Sequence, residues 1–396
     1  MLLVSIGGGS GIKKPTTTST TVRARASSTL SPAWRGNGKP VTLAFGGDVH
    51  FEAVLASRLS NDPTTALDGT VSNLMSGSQV SMANFDSALT NGTCPAPQAK
   101  TYVWYAPPTA ITAFRSASLS LVSEANSHGE DCGIAGLQMA IAAADAAKFP
   151  VVGVGATAVQ AYAPYRATIN GQRISILAAT ALFDPGLQAQ WTATTSQPGV
   201  ASALDQNALI AAVQAARKTS DTVIVYLNWG TETKTCPNSE QGPLAAALVK
   251  AGADIVIGSG AHVQQGTGYL GQALVDYGLG NLAFYDSAPP ETLSGTLVVT
   301  ATGRHVDSFV WRPALITDGL PQPLTGANAA SAISRWAGLR SCTDLSATPA
   351  KSTATIKTQT VVAAANAPST PTTGHSTTTA HATTTAHATT TVKGHG

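Results

Sequence analysis

Short apolar runs alternate with alanine-rich stretches through the middle of this chain, from about residue 40 to residue 346. The runs of strand type lie at 41–45, 80–84, 119–124, 151–154, 222–227 and 254–257, and the helical stretches lie at 136–148, 208–218 and 243–251. This alternation predicts strands joined by helices. The Asn170-Gly171 pair predicts a hairpin, and LSGTLVVTAT and HVDSFVWRPAL predict consecutive antiparallel strands. The sequence therefore predicts one large α/β domain with mixed sheets.

Polar side chains follow five of these strand-type runs. In an α/β sheet, ligands gather beyond the carboxyl ends of the strands. The residues of ligand or acid–base type at these ends are Asp48, His50, Asn84, Asp86, Asn126, His128, Glu130, Asp131, Asn228, Glu232 and His262. A spacing of two in extended backbone turns Asp48 and His50 to one side, so that both can bind one cation. Each residue alone also has a plain interpretation as a turn residue or helix N-cap, but the joint pattern favours a functional site.

The eight histidines lie in two parts of the chain, the central region and the C-terminal end. Four of the eight (His375, His381, His387 and His395) lie in the last 22 residues, where their spacing favours solvated side chains over a metal site. Three of the other four, His50, His128 and His262, are strand-end residues. The fourth, His305, follows Gly303-Arg304 in a predicted hairpin, and we interpret it as structural.

The near-neutral total charge hides an acidic central region. All 21 acidic residues lie between Asp48 and Asp344, and the same region holds 14 of the 23 basic residues, a net charge of −7. A nucleic-acid-binding face needs clustered Lys and Arg on the folded part of a protein, so the charge argues against that class of partner. No stretch approaches the ~20 apolar residues of a membrane-spanning helix.

The two ends of the chain differ in composition from its centre. Residues 1–39 are rich in Gly, Ser and Thr, carry basic residues and show no periodicity, which predicts a flexible linker. Residues 347–396 are rich in Thr, Ala and His and predict a disordered tail, typical of a stalk or a wall-spanning segment. The first residues, MLLVSI, lack the features of a signal peptide, so either the start lies upstream or export uses another signal.

The cysteines favour an oxidising compartment. Cys94, Cys132, Cys236 and Cys342 are widely spaced and form no CxxC pair. An even count favours two disulfides over buried free thiols, and three pairings are possible. We prefer Cys94 with Cys132 and Cys236 with Cys342, because the first two follow neighbouring strands of the predicted site. The chain is therefore predicted to be extracellular or attached to the cell surface.

Several segments also carry a resemblance to a known family. They are GGDVHFE, NFDSALT, SEANSHGEDCGIAGL, VGVGAT with Pro164-Tyr165, VIVYLNWGTE, EQGPLAAALVKAGADIVIGSGAHV and YGLGNLAFYD. Their order and spacing resemble those of the CapA family, proteins associated with poly-γ-glutamate capsule synthesis, over residues 41–320. That family is similar in fold to calcineurin-like metallophosphoesterases. The resemblance thus implies a layered α/β/β/α sandwich with a metal-type site on the strand-end loops.

The chain departs from the family pattern at four positions. Relatives usually have a glutamate at the position of Asp86 and a second asparagine at that of Ser127. They usually have histidines where this chain has Asn228 and Ser259, so two expected imidazoles are absent. The remaining donors are enough for one divalent ion but few for a two-metal hydrolase, which needs several ligands on each ion.

The resemblance and the strand-end pattern together assign roles to these residues. A single divalent ion, Mn, Mg or Zn, is expected on Asp48, His50, Asp86, Asn126 and His262. His128 is the expected general acid or base, because imidazole titrates near neutral pH, and Glu232 would orient water or a substrate amine. The residues expected to contact the substrate are Asn84, Asn228 and Trp229.

Three functional hypotheses stay open at this point. The first is an exported protein that synthesises, exports or processes an anionic polymer such as poly-γ-glutamate by metal-dependent hydrolysis or transfer. The second is a non-catalytic polymer-binding or scaffold subunit that joins membrane synthase subunits and has a degraded metal site. The third, a phosphoesterase acting on nucleotides or phospholipids, rests on fold analogy alone.

Overall fold

The structure is a computed structural model that describes residues 36–285 and 288–351. The predicted linker up to residue 35, the predicted tail from residue 352 and the four C-terminal histidines lie outside the described residues. The strands are β1 (Val41–Val49), β2 (Val80–Phe85), β3 (Ala88–Leu89), β4 (Tyr105–Ala106), β5 (Leu121–Ser123), β6 (Val151–Val152), β7 (Val154–Gly155), β8 (Tyr165–Ile169), β9 (Gln172–Thr180), β10 (Gly199–Val200), β11 (Thr222–Asn228), β12 (Ile255–Ser259), β13 (Thr267–Leu270), β14 (Ala273–Asp276), β15 (Asn281–Ala283), β16 (Leu293–Thr302), β17 (His305–Thr317) and β18 (Leu320–Pro323).

Helices connect many of these strands. They are α1 (Ala53–Asn61), α2 (Asp68–Met75), α3 (Thr109–Ser116), α4 (Gly133–Ala147), α5 (Ala158–Ala161), α6 (Gln188–Trp191), α7 (Gln206–Arg217), α8 (Gln241–Ala251) and α9 (Gly326–Gly338), and a 3-10 turn follows at Leu339–Cys342. The three helical stretches predicted from the sequence are α4, α7 and α8, each of which begins two or three residues earlier than predicted.

Two mixed sheets hold most of the strands. Within the described residues, the first sheet has the order β18-β17-β16-β1-β2-β5-β6, with β15 paired to β1, and the second has the order β13-β14-β12-β11-β9-β8. The central pairs, β1 with β2 and β11 with β12, are parallel. The antiparallel pair of β8 and β9 meets at the Asn170-Gly171 turn, and β16 pairs antiparallel with β17. Both predicted hairpins are therefore confirmed.

Successive side chains of each strand point to opposite faces of its sheet, so they pack into different hydrophobic cores. Leu43 and Phe45 of β1 pack between the two sheets with Ile224 of β11, while Ala44 faces the cluster that holds α1, α2 and α3. In β11, Val225 turns the other way, against α7 and α8. Because the central strands bury both faces, most of their residues are apolar. The layers are helix, sheet, sheet and helix, which confirms the predicted α/β/β/α sandwich.

Both disulfides join the cysteines preferred from the sequence. Cys94 is bonded to Cys132 at the start of α4, and Cys236 is bonded to Cys342. The first closes a loop of 38 residues and the second one of 106. Loops of these lengths correspond to roughly 4 and 5 kcal/mol of lost unfolded-state entropy in the chain-entropy treatment.

None of the helices among the described residues is both long enough and apolar enough to span a membrane.

Candidate functional site

The carboxyl ends of the central strands meet at one edge of the sandwich. In the first sheet, Asp48 of β1 lies in register with Asn84 of β2, and Asn84 with Ser123 of β5. The two glycines before Asp48 allow this strand end to approach its neighbour closely, because a Cβ on Gly47 would overlap the carbonyl of Gly280. The amide of Asp48 donates to that carbonyl at 3.0 Å. Thus the GGD sequence sets the position of the first carboxylate.

Asp48, Asn84, Asp86 and His262 form a buried group that we call the carboxylate cluster. Asn84 Nδ2 donates to Asp48 Oδ1 at 2.8 Å and to Asp86 Oδ1 at 3.3 Å. His262 Nδ1 lies 3.3 Å from Asp48 Oδ2, and its Nε2 lies 3.8 Å from Asp86 Oδ2. The backbone N–H of Gly260 completes the shell of Asp48 Oδ2 at 3.1 Å. An amide and an imidazole thus lie between the two carboxylates.

Burial and the neighbouring charges shift the pKa values of His262 and Asp86 in this cluster. Burial lowers the pKa of His262, but the hydrogen bond and charge of Asp48, together with the charge of Asp86, outweigh it and raise that pKa to about 10. Burial raises the pKa of Asp86, and the neighbouring Asp48 raises it further. His262 is therefore an imidazolium at neutral pH. It adopts a left-handed backbone conformation with φ of 57°, and its Nδ1 also contacts Asn281 Oδ1 at 2.9 Å.

His50 lies beside this cluster in an aromatic cage. Its ring stacks on Phe284 at 3.8 Å between centroids and also contacts Tyr285 and Trp104. Among the described residues, neither ring nitrogen of His50 has a hydrogen-bond partner. Burial lowers its pKa well below the usual value, and the positive charge of His262 lowers it further. His50 is therefore a neutral imidazole at neutral pH.

His128 forms an acid–base pair with Asp131. Its Nδ1 lies 2.6 Å from Asp131 Oδ2, and its ring stacks on Trp104 with centroids 4.0 Å apart. A carboxylate can only accept, so the contact places a proton on Nδ1 and leaves Nε2 as the basic nitrogen of the neutral ring. The backbone N–H of Trp104 also donates to Asp131 Oδ2, at 2.6 Å. The orientation of His128 is thus set by a buried carboxylate.

Lys100 lies behind this pair and neutralises it. Its Nζ is 2.9 Å from Asp131 Oδ1 and 2.8 Å from Asp184 Oδ2, and it donates to the carbonyl of Ser127. The lysine side chain is 3% exposed, and it extends over the ring of Trp191. The four side chains form a continuous chain from Asp184 through Lys100 and Asp131 to His128.

His128 and Glu232 line the same pocket. We call this space of about 290 Å³ the His128 pocket; its wall includes Lys100, Tyr102, His128, Phe183, Asp184 and Glu232. Glu232 is exposed and comes from the loop after β11, whereas His128 comes from the loop after β5. The two residues predicted as catalytic thus lie in one cavity, although they belong to different sheets.

Three further predicted residues are engaged within the protein. Asn126 Nδ2 donates to Asn84 Oδ1 and to the carbonyl of Phe85, and its Oδ1 accepts from the amide of His128. Asn228 Oδ1 accepts from Thr180, while its Nδ2 lies against Gly260. Trp229 is 1% exposed, donates to the carbonyl of Tyr277 at 2.8 Å and packs in the core beneath α7 and α8. It also borders a separate pocket of about 340 Å³.

The donor set does not fit a divalent ion in this arrangement. Both nitrogens of His262 face carboxylates, and the amide oxygen of Asn126 already accepts a hydrogen bond. Within residues 36–285 and 288–351, no three His, Cys, Asp or Glu side chains are grouped in the geometry of a metal site. The charge of Asp48 and Asp86 is compensated by the His262 imidazolium instead.

Several residues of this site were assigned no role from the sequence. Asp131 was named among the strand-end residues without a role, although its position three residues after His128 is a local signal for an orienting carboxylate. Lys100 and Trp104 lie in a loop between β3 and β4 that carries no such pattern, because their partners are on the β5 loop. Phe284 and Tyr285 follow β15 and read in the sequence as ordinary apolar residues.

Two solved structures are similar to this chain at a low level. A hypothetical protein from Thermus thermophilus has a TM-score of 0.42 and 14% identity, covering 70% of this chain and 100% of that chain. A phosphatase from Mycoplasma pneumoniae has a TM-score of 0.42 and 12% identity, covering 70% and 94%. These values are too low to transfer a function or the role of any residue.

Curated relatives are more similar in sequence. The capsule biosynthesis protein CapA of Bacillus anthracis is 31% identical over 224 residues, 55% of this chain and 53% of that protein. The PGA biosynthesis protein CapA of Bacillus subtilis (strain 168) is 28% identical over 220 residues, 54% and 55%. A probable polyglutamine synthesis accessory protein of Mycobacterium tuberculosis is 30% identical over 159 residues, 39% and 41%. The chain thus spans at most about half the length of these relatives.

A family profile covers most of the folded region. The profile described as bacterial capsule synthesis protein PGA_cap matches residues 42–286, which run from β1 to just beyond Tyr285 and include every residue of the site described above. The resemblance found in the strand-end motifs is confirmed by this match and by the two Bacillus relatives. The chain belongs to the PGA_cap family of bacterial capsule synthesis proteins.

Proposed function

We propose that this protein acts at the cell surface in the synthesis, export or processing of an anionic polymer such as poly-γ-glutamate, and that His128 is its acid–base group. Family membership and the names of the Bacillus relatives support the polymer. The two disulfides support an oxidising compartment.

One observation carries the acid–base role. His128 Nδ1 lies 2.6 Å from the buried Asp131 carboxylate, and the same ring lines an open pocket. This is how a histidine is held in one tautomer so that its other nitrogen can exchange a proton with a bound group. In this proposal, Nε2 takes a proton from an attacking water or amine, or returns one to a leaving amine, and Glu232 orients that group in the His128 pocket.

The other predicted residues have supporting roles in the proposal. Asn84 holds Asp48 and Asp86 in place, and Asn228 packs against Gly260 behind them. Asp48, His50, Asp86, Asn126 and His262 stay predicted ligands of a divalent ion, but the arrangement described above fits that ion only if His262 moves. No step of the proposed reaction therefore depends on it.

A second candidate is a polymer-binding or scaffold subunit without catalysis. It is favoured by the His262 imidazolium, which already neutralises the carboxylates that a hydrolytic metal would need. In such a subunit, partner synthase proteins would carry out the chemistry.

Polymer assays with matched histidine variants separate the two candidates. Purified full-length chain is incubated with poly-γ-glutamate, and chain length is followed by gel electrophoresis and by release of free amines. We expect His128→Ala to lower turnover at least about 100-fold, the usual effect of removing a general acid–base group. His305→Ala, a change outside the site, should not alter it.

Each result decides between the candidates. Equal turnover by wild type and His128→Ala contradicts the acid–base role. Polymer binding with no change of chain length in any variant supports the scaffold subunit instead. Mass-spectrometric metal analysis of the same samples tests the predicted ion, since a stoichiometric Mn, Mg or Zn content would show that the cluster binds metal in solution.

A further inference from the structure

The His128 pocket presents acceptors at the places where a ligand would bind. His128 is 7% exposed and lines the pocket, and its Nδ1 is already engaged by Asp131. Within the described part of the chain, its Nε2 has no protein partner, so the neutral form of the ring can accept a hydrogen bond there. Glu232 is exposed in the same wall and forms no ion pair among these residues, so its carboxylate is a second available acceptor.

The positive group of the pocket is committed elsewhere. Lys100 has three N–H donors, and three oxygens surround it: those of Asp131, Asp184 and the carbonyl of Ser127. An anionic ligand that approached Lys100 would have to displace a carboxylate from a side chain that is 3% exposed. Lys100 therefore stabilises the wall of the pocket and is a poor anion receptor.

The side chains around the pocket carry a net negative charge. The carboxylates of Asp131 and Asp184 contact the ammonium group of Lys100, and Glu232 adds a third carboxylate in the pocket wall. The side chain of Asp184 is 35% exposed, so part of this charge faces the pocket. A carboxylate ligand would be repelled here, whereas a cation would be attracted, and the low dielectric of a partly closed site strengthens both effects.

An aromatic wall completes the arrangement. Tyr102 is 59% exposed, lines the pocket and lies 5.9 Å from the ring of Trp104, which stacks on His128. Exposed tyrosine faces attract ammonium groups by cation–π interaction, worth about 0.5–1 kcal/mol at an exposed site. Acceptors, negative charge and an aromatic face together match the chemistry of a primary ammonium group, which has three donors and no acceptor.

We propose that the His128 pocket binds the primary ammonium group of its substrate, and that the polymer enters it by its amino end and not by its carboxylates. The first half of this inference stands on the pocket alone, whereas the second rests on the proposed function. The ammonium donates to His128 Nε2 and to the Glu232 carboxylate, and Tyr102 packs against it. A negatively charged pocket is then compatible with an anionic polymer, because only the positively charged amino end of that polymer enters the pocket.

Binding of matched small probes tests the charge preference. Saturation-transfer-difference NMR with the full-length protein at pH 7 measures n-butylamine, which is an ammonium ion at this pH, against butyrate and n-butanol. We expect millimolar binding of n-butylamine, and Kd values at least 10-fold higher for both other probes. The change Glu232→Gln should raise the Kd of n-butylamine at least 5-fold. The control Glu240→Gln, at an exposed acid outside the pocket wall, should leave it unchanged.

Several results would overturn the inference. Butyrate binding as tightly as n-butylamine, or no effect of Glu232→Gln in a variant with an unchanged melting temperature, would show that the pocket does not recognise ammonium. Displacement of n-butylamine by equimolar Mg²⁺ at matched ionic strength would show that the acceptors form a metal site instead. Failure of the proposed function is recognised separately, by the polymer assay, because Glu232-dependent amine binding with no polymer turnover would leave the ammonium site intact.

Discussion

The buried ammonium of Lys100 should contribute strongly to stability. At 2.9 Å and an effective dielectric constant of about 20, its attraction to Asp131 amounts to ~6 kcal/mol, and desolvation of the two charges offsets part of this. The change Lys100→Met keeps the length of the side chain but leaves the buried Asp131 carboxylate without its ammonium partner. Removal of one partner of a buried pair costs about 3–5 kcal/mol. We therefore expect a loss in that range.

Urea unfolding with intact disulfides, followed by tryptophan fluorescence, measures this loss. With an m value of about 3 kcal/mol/M, the midpoint should fall by about 1 M at constant m. Arg173→Met is the matched control, because Arg173 pairs with Asp221 at the surface with its side chain 57% exposed, and its loss should cost less than about 1 kcal/mol.

A double variant tests the reason for the effect. Lys100→Met combined with Asp131→Asn removes both charges, so it should be less destabilised than the sum of the two single changes by about 0.5–3 kcal/mol. If Lys100→Met costs no more than Arg173→Met, or if the two changes at this site are additive, then the ammonium does not neutralise Asp131 as described.

Three other predictions concern the fold around the site. Burial raises the pKa of Asp276 to about 7, so between pH 4 and 7 the folded protein holds a proton there that the unfolded chain has lost. The free energy of unfolding should therefore fall as pH rises through this window, by up to about 4 kcal/mol. In the variant Asp276→Asn, the free energy of unfolding should depend less on pH over the same window. A profile equally steep in the variant would contradict the shift. Gly260 has φ of +91°, and a Cβ there would lie 2.5 Å from the side-chain amide nitrogen of Asn228. Gly260→Ala should therefore lower the free energy of unfolding, measured by urea unfolding, by at least about 1–2 kcal/mol. An unchanged free energy of unfolding would show that the loop relaxes around the added methyl group. Replacing Cys94 and Cys132 by serine should lower the free energy of unfolding by about 4 kcal/mol and make the 94–132 region a site of limited proteolysis. Unchanged protease resistance would argue against this role of the disulfide.

Much of the fold follows from local patterns in the sequence. Five of the six apolar runs became strands of the two large sheets, whereas the run at 151–154 is divided between the edge strand β6 and β7, which pairs with β10. The Asn-Gly pair became a hairpin turn. These signals act over a few residues, through side-chain period and backbone preference, so they survive in any tertiary context. Boundaries were less well predicted: β1 continues through the two glycines to Val49, because pairing with β15 extends it.

The sequence predicts which strand ends carry polar residues but not the contacts that those residues make. Asp48, Asn84 and Asp86 lie together because parallel strands bring their carboxyl ends to one edge of the sandwich. Which groups pair there depends on how distant loops cross. Gly260 bonds to Asp48 across 212 positions of the chain, and no local pattern carries that information.

The residue types and their order along the chain already determined the α/β class, the family, the preferred disulfide pairing and the three histidines of the site. The state of those histidines depended on folding. His262 is charged because two carboxylates face it, His50 is neutral because aromatic rings enclose it, and His128 is oriented because Asp131 holds Nδ1. Each difference arises from neighbours contributed by separate strands and loops, since burial and charge act through space and not along the sequence.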